Sequence, residues 1–313
     1  MSQFRKLYAE RFDRLMLYRR LTPAHNLGLP KRHGLDEGAA DVETESEHGG
    51  GGERCDRQGD RSDAHATNPS PRVRSKLVIP TEAGRVVALW RYPVKSMAAE
   101  PLDSVDLSWH GFAGDRRWAF IRDGVARSGF PWLTIREKPE MRHYRPSFSE
   151  PDRLDASPML VQTPGGREFD VIDGELAAEL GPGVRVIRQN VGIFDTFPLS
   201  LISTQTIKSL GSLVGSELHP QRFRPNLLIH ATGDASFPED SWVGSVLQIG
   251  GIRMRVDKRD HRCVMVNIDP SSTESNPAVL KAIARERNSY LGVYGSTVEP
   301  GRIAVGDRAV IER

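Results

Sequence analysis

Residues 290–312 of the 313-residue chain, YLGVYGSTVEPGRIAVGDRAVIE, decide its fold class. They contain three short apolar runs and two turn-like tripeptides between them: Tyr290–Val298, Arg302–Val305 and Ala309–Glu312, with Glu299-Pro300-Gly301 and Val305-Gly306-Asp307. Pro, Gly and Asp favour tight turns, whereas short runs rich in Val, Ile and Tyr favour strands. The stretch therefore predicts three strands joined by hairpin turns.

The same pattern of short apolar runs separated by Gly, Pro and Asp turns extends back to Val78. Further strands are predicted at Arg85–Tyr92, Leu102–Leu107, Trp118–Arg122, Leu160–Gln162, Val184–Arg188, Asn226–His230, Val246–Ile249, Ile252–Val256 and Cys263–Ile268. Many short strands with few helices are typical of a barrel. The predicted fold class is β-rich α+β, with an N-terminal β-barrel-like domain followed by a second β-barrel with few helices.

Two helices are predicted in the second half of the chain. Ser203 or Thr204 would cap the first, because a hydroxyl at this position accepts a bond from a free backbone N–H group. The apolar face of this helix would consist of Ile207, Leu210 and Leu213. Asn276 followed by Pro277 predicts the start of the second helix.

Residues 1–80 are predicted to form an extension with a possible helix and a disordered linker. Apolar residues between Phe4 and Met16 recur at helical spacing. Such a helix could dock on the core, be dispensable, or bind a membrane surface or targeting receptor, although Glu10 and Asp13 disfavour targeting. From about His33 to Arg74 there are too few large apolar residues to offset the entropy cost of ordering.

Composition excludes several classes of protein. The chain has 43 Lys and Arg against 41 Asp and Glu, a net charge of +2, so no nucleic-acid partner is expected. No apolar run approaches the ~18 residues of a membrane span, and no signal-peptide core is visible, so membrane association is not expected. With only Cys55 and Cys263 in the chain, no structural disulfide is expected and a cytoplasmic location is predicted.

Cys263 is the cysteine that lies outside the predicted linker. It starts a predicted strand, directly after Arg262 and close to Lys258 and Arg259. Nearby cations favour the thiolate, which is the reactive and metal-binding form. A lone strand cysteine is more often a small buried side chain, and no Cys/His spacing indicates structural zinc. Both interpretations remain open on these residues alone.

Three basic segments could bind an anion: Tyr92-Pro93-Val94-Lys95-Ser96, Gly114-Asp115-Arg116-Arg117-Trp118 and Arg222-Phe223-Arg224-Pro225-Asn226. Lysine and the planar guanidinium group both suit phosphate, and an asparagine amide fits a pterin-like edge. Each segment could also be an ordinary loop or a surface ion pair. Together with the predicted helix N-terminus and the thiol, they indicate a site for a large anionic, metal-bearing cofactor.

These segments resemble a known family. The first two resemble the N-terminal β-barrel domain that precedes MOSC (molybdenum cofactor sulfurase C-terminal) domains. Four others resemble the MOSC domain itself: Phe223-Arg224-Pro225-Asn226, Phe237-Pro238-Glu239-Asp240-Ser241-Trp242, Arg262-Cys263 with Ile268-Asp269-Pro270, and Pro300-Gly301-Arg302-Ile303-Ala304-Val305-Gly306-Asp307. The resemblance implies a MOSC N-terminal barrel at 81–193 and a MOSC domain at 194–313, similar to the mitochondrial amidoxime-reducing component and its bacterial counterparts.

The resemblance implies an enzyme that binds molybdenum–molybdopterin (Moco). In that family the cysteine of the Arg-Cys pair ligates molybdenum, so Cys263 is expected to be the metal ligand and the catalytic residue. The positions that match the family's cofactor-binding residues are Lys95, Ser96, Arg116, Ser203, Thr204, Arg224, Asn226, Arg262 and Tyr294. Asp240 or Asn267 is expected to line an open coordination position.

The function predicted from this resemblance is an oxidoreductase that reduces N-hydroxylated or related oxygenated small molecules. The chain has no Cys-rich segment, so its electrons are expected to come from a separate flavin, haem or iron–sulfur reductase. One alternative is a carrier of sulfur or cofactor that uses a Cys263 persulfide without turnover. A degenerate fold kept for protein contacts is a third, which the intact Arg262-Cys263 and Lys95-Ser96 pairs disfavour.

Overall fold

Sixteen strands and three α-helices make up the part of the chain that this computed structural model describes, residues 81–125, 128–272 and 274–312. The helices are α1 Gly174–Leu180, α2 Thr204–Val214 and α3 Pro277–Arg287. The strands are β1 Thr81–Arg91, β2 Glu100–Leu102, β3 Ser104–Ser108, β4 Gly111–Phe112, β5 Trp118–Arg122, β6 Arg145–Phe148, β7 Met159–Gln162, β8 Glu168–Asp170, β9 Val184–Arg188, β10 Leu199–Ser203, β11 Leu227–Ala231, β12 Val246–Ile249, β13 Ile252–His261, β14 Tyr290–Glu299, β15 Gly301–Ala304 and β16 Arg308–Glu312.

Seven strands close into a barrel. Their order is β11, β10, β14, β13, β12, β16 and β1, and β1 pairs with β11 to complete the ring. β10 and β11 run parallel, whereas the other pairs in the ring are antiparallel. Closure leaves no open sheet edge within the ring. The predicted β-rich α+β barrel fold with few helices is therefore confirmed.

Residues 81–112 contribute strands to sheets whose other strands come from residues 199–312. β1 lies in the barrel with β2 on its outer side, and β3 pairs with β15 as well as with β4. The segment between them in sequence forms two further sheets, β5 with β9 and β6-β7-β8. Strands near the start of the described chain therefore pair with strands from its C-terminal part.

The interior of the barrel is one apolar cluster, and two more clusters lie outside it. Leu227 and Ile229 of β11 point into the barrel, whereas Leu228 between them packs outward with α2 and α3. Alternate side chains of a strand point to opposite faces, so a strand buried on both faces reads as a continuous apolar run. The third cluster, around Phe120 and Met141, fills the space between α1 and the smaller sheets.

Both predicted helix starts are confirmed. The Ser203 side chain accepts a bond from Thr206 N at the start of α2, and Asn276 accepts one from Ala278 N at the start of α3. The predicted apolar face of α2 is wrong at its far end, because Leu213 is exposed. The helix is capped at Gly215 with φ of 71°, and in its last turn Val214 rather than Leu213 packs against the core.

Two strand predictions require correction. The turns around Pro300 and Gly306 exist, but β14, β15 and β16 do not form hairpins, because β15 pairs with β3 and β16 with β12 and β1. Cys263–Ile268 is not a strand, because Val264–Asn267 forms a 3-10 helical turn. Arg222 Nη1 donates to the carbonyls of this turn at Val266 and Asn267, which removes the need for a neighbouring strand.

The structure also contains elements that the sequence patterns did not predict, among them β4, β6, β8, β10 and α1. The predictions for residues 1–80 lie outside the described residues. No helix of the described chain has the length and apolar character that a membrane crossing requires.

Candidate functional site

The three basic segments predicted from the sequence meet where β1 leaves the barrel. Tyr92 N donates to Asp115 Oδ1 over 2.7 Å, and Arg116 N donates back to Tyr92 O over 2.7 Å. Arg224 Nη1 reaches across to Met97 O at 2.9 Å. Segments that are distant in sequence therefore form one basic cluster.

Tyr92 lies at the centre of this cluster. The guanidinium carbons of Arg116 and Arg224 lie 4.6 Å and 4.2 Å from its ring centroid, a cation–π arrangement. Burial raises the pKa of Tyr92 to about 12, despite the opposing effect of the two arginines. Burial lowers the pKa of Arg224 to about 10, and Arg116 adds to this effect by repulsion. For Arg116, burial is outweighed by contact with Asp115, so its pKa is raised.

Three of the predicted cofactor-binding residues have left-handed backbone conformations. The φ angles are 70° at Ser96, 49° at Arg116 and 50° at Arg224. Each non-glycine residue in this region costs about 1–3 kcal/mol, and such strain is typical of functional sites. At these three positions the protein tolerates a strained backbone conformation, which sets the direction of the side chain.

Asn226 supports the cluster from inside the protein. It is 1% exposed, and its Nδ2 donates to Trp90 O and to Asp115 Oδ2, each over 3.1 Å. Its Oδ1 accepts from Ser200 N at 3.3 Å and from Arg116 at 3.4 Å. Protein groups contact its amide nitrogen and its oxygen, so Asn226 positions Asp115 and Arg116, and its contact with a pterin edge stays a prediction.

The Cys263 thiol lies at the end of a chain of charged contacts. Arg136 Nη2 is 3.5 Å from Cys263 Sγ, and its other contact is Asp195 Oδ2 at 3.8 Å. Lys95 Nζ contacts Asp195 Oδ1 at 2.5 Å and donates to Ile193 O at 3.1 Å. Cys263 is half-buried. The structure thus brings Lys95 and Cys263 together through two residues that the sequence patterns missed, Arg136 and Asp195.

Arg262 is held rigidly beside the thiol. Its Nε donates to Leu291 O at 2.7 Å, its Nη1 donates to Phe223 O at 2.8 Å, and the same nitrogen lies 2.8 Å from Asp260 Oδ2. Its buried Nη2 has no hydrogen-bond partner in the described part of the chain. A Cβ on Gly292, where φ is +71°, would lie 3.1 Å from this Nη2 and 2.9 Å from Leu201 O. Glycine at 292 keeps this space free.

The half-buried Tyr294 and the buried Asp260 lie close enough to influence each other's ionisation, and Asp260 also pairs with Arg262. Burial and the Asp260 charge raise the pKa of Tyr294 well above its usual range. Burial also raises the pKa of Asp260 from 3.8 to about 6, against the opposing effects of Arg262 and the Tyr294 hydroxyl. The sequence placed Tyr294 in the site but gave no indication of Asp260, which lies three residues before the cysteine.

The Asp260 carboxyl is expected to make stability depend on pH. Because its pKa is higher in the folded than in the unfolded chain, its stabilising effect is fully present below about pH 4 and lost as the pH rises through 6. As the pH rises from 4 to 7, wild type should lose roughly 2–3 kcal/mol of unfolding free energy that Asp260→Asn keeps, because the variant has no carboxyl to ionise. Urea unfolding of both proteins at pH 4.5 and 7.5 measures this change. Asp106→Asn, at an exposed carboxylate, is the control, and a pH-independent difference for Asp260→Asn would contradict the prediction.

Ser203 and Thr204 contact other protein groups and not this cluster, so their place beside the cofactor stays a prediction. Ser203 Oγ donates to the buried Glu239 over 2.7 Å, and Thr204 Oγ1 lies 2.9 Å from His230 Nδ1. Ser200 lies opposite Tyr294 on the neighbouring strand, and Ser203 is three residues, about 10 Å, further along β10. Ser200 Oγ is instead the buried hydroxyl beside Tyr294, and it has no protein partner among the described residues.

Asp240 and Asn267, expected near an open coordination position, have structural partners. Asp240 forms ion pairs with Arg259 and Arg287. Asn267 is 5% exposed, and its Oδ1 accepts from Leu280 N in the first turn of α3. Both side chains therefore have structural roles in the protein.

Comparison with known proteins is consistent with this arrangement. The MOSC N-terminal beta barrel domain matches residues 83–191, and the MOSC domain matches residues 188–310. The chain is 26% identical to the molybdenum cofactor sulfurase of Drosophila mojavensis over 67% of this chain and 31% of that protein. It is 24% identical to human mitochondrial amidoxime-reducing component 1 over 76% of this chain and 85% of that protein.

A solved structure, the YUAD protein from Bacillus subtilis, aligns with a TM-score of 0.41 at 13% identity, over 74% of this chain and 98% of that one. The chain spans about a third of the length of the molybdenum cofactor sulfurases it matches. The two domain matches lie side by side and together cover residues 83–310. The chain therefore belongs to the MOSC-domain family, with a MOSC N-terminal β-barrel domain ahead of its MOSC domain.

Proposed function

We propose that this protein is a molybdenum-cofactor-dependent oxidoreductase in which Cys263 ligates the metal. The observation that carries the proposal is a half-buried thiol, contacted by Arg136, at the edge of a largely buried cluster with an excess of cations. MOSC relatives named as amidoxime-reducing components support a reductase that acts on N-hydroxylated or related oxygenated compounds. The proposed substrate is therefore a small molecule.

The charge of the cluster fits an anionic cofactor. It contains five cationic side chains and three carboxylates: Lys95, Arg116, Arg136, Arg224 and Arg262, with Asp115, Asp195 and Asp260. The difference of two positive charges is costly to bury without a counter-charge. The unpartnered Nη2 of Arg262 and Oγ of Ser200 are further groups that a ligand could satisfy. A pterin phosphate supplies both the negative charge and the acceptors.

The protein offers the Cys263 thiolate as a metal ligand, which fits a cofactor that supplies most of the metal's other ligands itself. No group of three or more His, Cys, Asp or Glu side chains able to hold a metal ion exists among residues 81–125, 128–272 and 274–312. A single thiolate is a soft donor that suits a metal already bound by dithiolene sulfurs. When bound, the molybdenum cofactor supplies the two-electron redox chemistry, which belongs to the cofactor rather than the protein.

The side chains of the cluster then have distinct tasks. Lys95, Arg116 and Arg224 neutralise the phosphate and fix its position. Arg136 donates a hydrogen bond to the Cys263 sulfur, which orients this ligand. Electrons for each turnover come from a separate donor protein that carries flavin, haem or iron–sulfur centres.

Purified protein from a host that makes the cofactor tests the proposal. We expect about one molybdenum per chain, together with reduction of benzamidoxime by a chemical reductant. Arg224→Gln is expected to lower molybdenum content about 10- to 100-fold, because a charged cofactor contact is lost. The exposed Arg302→Gln removes the same charge and is the matched control. Wild-type protein without molybdenum but with labile sulfur on Cys263 would instead favour the sulfur-carrier function, which the sulfurase relatives make the natural alternative.

A further inference from the structure

The segment that follows Cys263 runs beside a second segment, 136–142, and contacts it at both ends. Arg136 Nη2 lies 3.5 Å from Cys263 Sγ, and Arg142 Nη1 donates to the Asp269 carbonyl. Both pairs are separated by 127 residues along the chain. The two segments therefore contact each other at two points, each through an arginine of the 136–142 segment.

Arg222 holds the same segment from another direction. Its Nη1 donates to Val266 O at 3.2 Å and to Asn267 O at 2.9 Å, and its Nη2 contacts Asp269 Oδ2 at 2.5 Å. Arg142 Nη1 also lies 3.3 Å from Ser272 O. Asp269 is thus placed between two arginines from separate parts of the chain. We call Arg142, Asp269 and Arg222 the Asp269 clamp.

The energetics of the clamp require a fixed geometry. Arg142 and Arg222 are each 7% exposed, so both guanidinium groups have lost most of their water. A desolvated ion pair stabilises only when its hydrogen bonds are well formed, and loss of one partner leaves an uncompensated charge. Any shift of the Val266–Asp269 backbone would break several of these bonds together. Loss of one clamp residue should therefore weaken the hold on the whole segment.

We infer that Arg142, Asp269 and Arg222 are positioning residues that fix the place of the Cys263 sulfur. They hold the backbone that follows the thiol, so that Sγ stays against Arg136. The clamp also joins the residues around Pro139–His143 to the turn Pro220–Phe223, which directly precedes Arg224. The catalytic meaning of this inference rests on the proposed function, whereas the clamp itself operates without a cofactor.

Hydrogen–deuterium exchange on the full-length, cofactor-free protein tests the clamp. In Arg142→Gln, Asp269→Asn and Arg222→Gln, amide protection in residues 264–272 should fall at least about tenfold, equal to about 1.4 kcal/mol of local opening free energy. Arg222→Lys keeps the charge but not the planar fork, so its protection should lie between that of wild type and Arg222→Gln. Arg91→Gln is the matched control, because Arg91 is 4% exposed and pairs with Glu100 outside this segment. Its effect should be confined to the neighbourhood of Arg91.

A second readout connects the clamp to the site. In cofactor-loaded protein, the three clamp variants should release molybdenum at least about tenfold faster than Arg91→Gln at equal thermal stability. Unchanged protection of residues 264–272 in Arg142→Gln and Asp269→Asn would overturn the inference, as would an equal loss in Arg91→Gln. If an arginine variant does not fold, Asp269→Asn, which keeps both guanidinium groups, provides the test. Absence of molybdenum from all proteins would refute the proposed function but leave the exchange result decisive for the clamp.

Discussion

Replacing Cys263 with alanine is expected to lower the molybdenum bound per chain by more than about 100-fold, and benzamidoxime reduction with it. Loss of a group that merely supports a metal ligand already costs 10- to 100-fold in metal affinity, and here the ligand itself is removed. No other cysteine exists among the described residues, so no other thiol in that part of the chain can replace it. Elemental analysis of the purified variant, beside wild type from the same host, measures the effect.

Two further variants make this result specific. Cys263→Ser keeps the size of the side chain but offers a harder, far less acidic donor, so its molybdenum content should lie between wild type and alanine. Cys55→Ala removes the other cysteine and should leave molybdenum unchanged. Because Cys263 is half-buried, the alanine variant should lose no more than about 1 kcal/mol of unfolding free energy. Molybdenum retained by a folded Cys263→Ala would show that this sulfur is not the ligand.

Replacing Arg262 with glutamine is expected to lower the free energy of unfolding by about 3–5 kcal/mol. The change leaves the 2% exposed Asp260 without its cationic partner and removes the donors to Leu291 O and Phe223 O. Breaking a buried ion pair from one side carries this cost, because an uncompensated charge remains inside the protein. Urea unfolding of the cofactor-free protein at pH 7.5 measures the change.

A double variant separates the charge effect from the lost hydrogen bonds. Adding Asp260→Asn to Arg262→Gln removes the stranded carboxylate, so about 2 kcal/mol or more of the lost stability should return. If Arg262→Gln does not fold, Arg262→Lys provides the test. It keeps the charge, so it should lose less stability than glutamine. An Arg262→Gln protein within about 1 kcal/mol of wild type would contradict the prediction. So would the absence of any recovery in the double variant.

Local chemistry in the sequence predicted local structure well. The caps at Ser203 and Asn276 and the turns around Pro300 and Gly306 depend only on residues within a few positions, and all four are present. The choice of which strands pair with each other does not depend on local residues in this way. β15 pairs with β3, nearly two hundred residues earlier, and no turn or apolar pattern near β15 specifies that strand.

The same limit applies to the site. Lys95, Arg116, Arg224 and Cys263 were predictable because their motifs are contiguous in sequence and resemble a family. Arg136, Asp195 and Asp260 lie in segments with no comparable pattern, and they join the site through contacts across the fold. The position of Ser200 opposite Tyr294 was missed for a related reason, since β10 was not predicted and its pairing with β14 brings the two residues together.

The way the barrel closes has a consequence for biosynthesis. β1 needs β11 and β16 as its neighbours in the ring, and β16 begins about 220 residues after β1 ends. At translation rates of about 5–20 residues per second, roughly 11–45 seconds pass between the emergence of these strands from the ribosome. During that interval the apolar face of β1 has no finished core to enter. The order of the strands therefore leaves this face of the nascent chain prone to aggregation until β16 has been made.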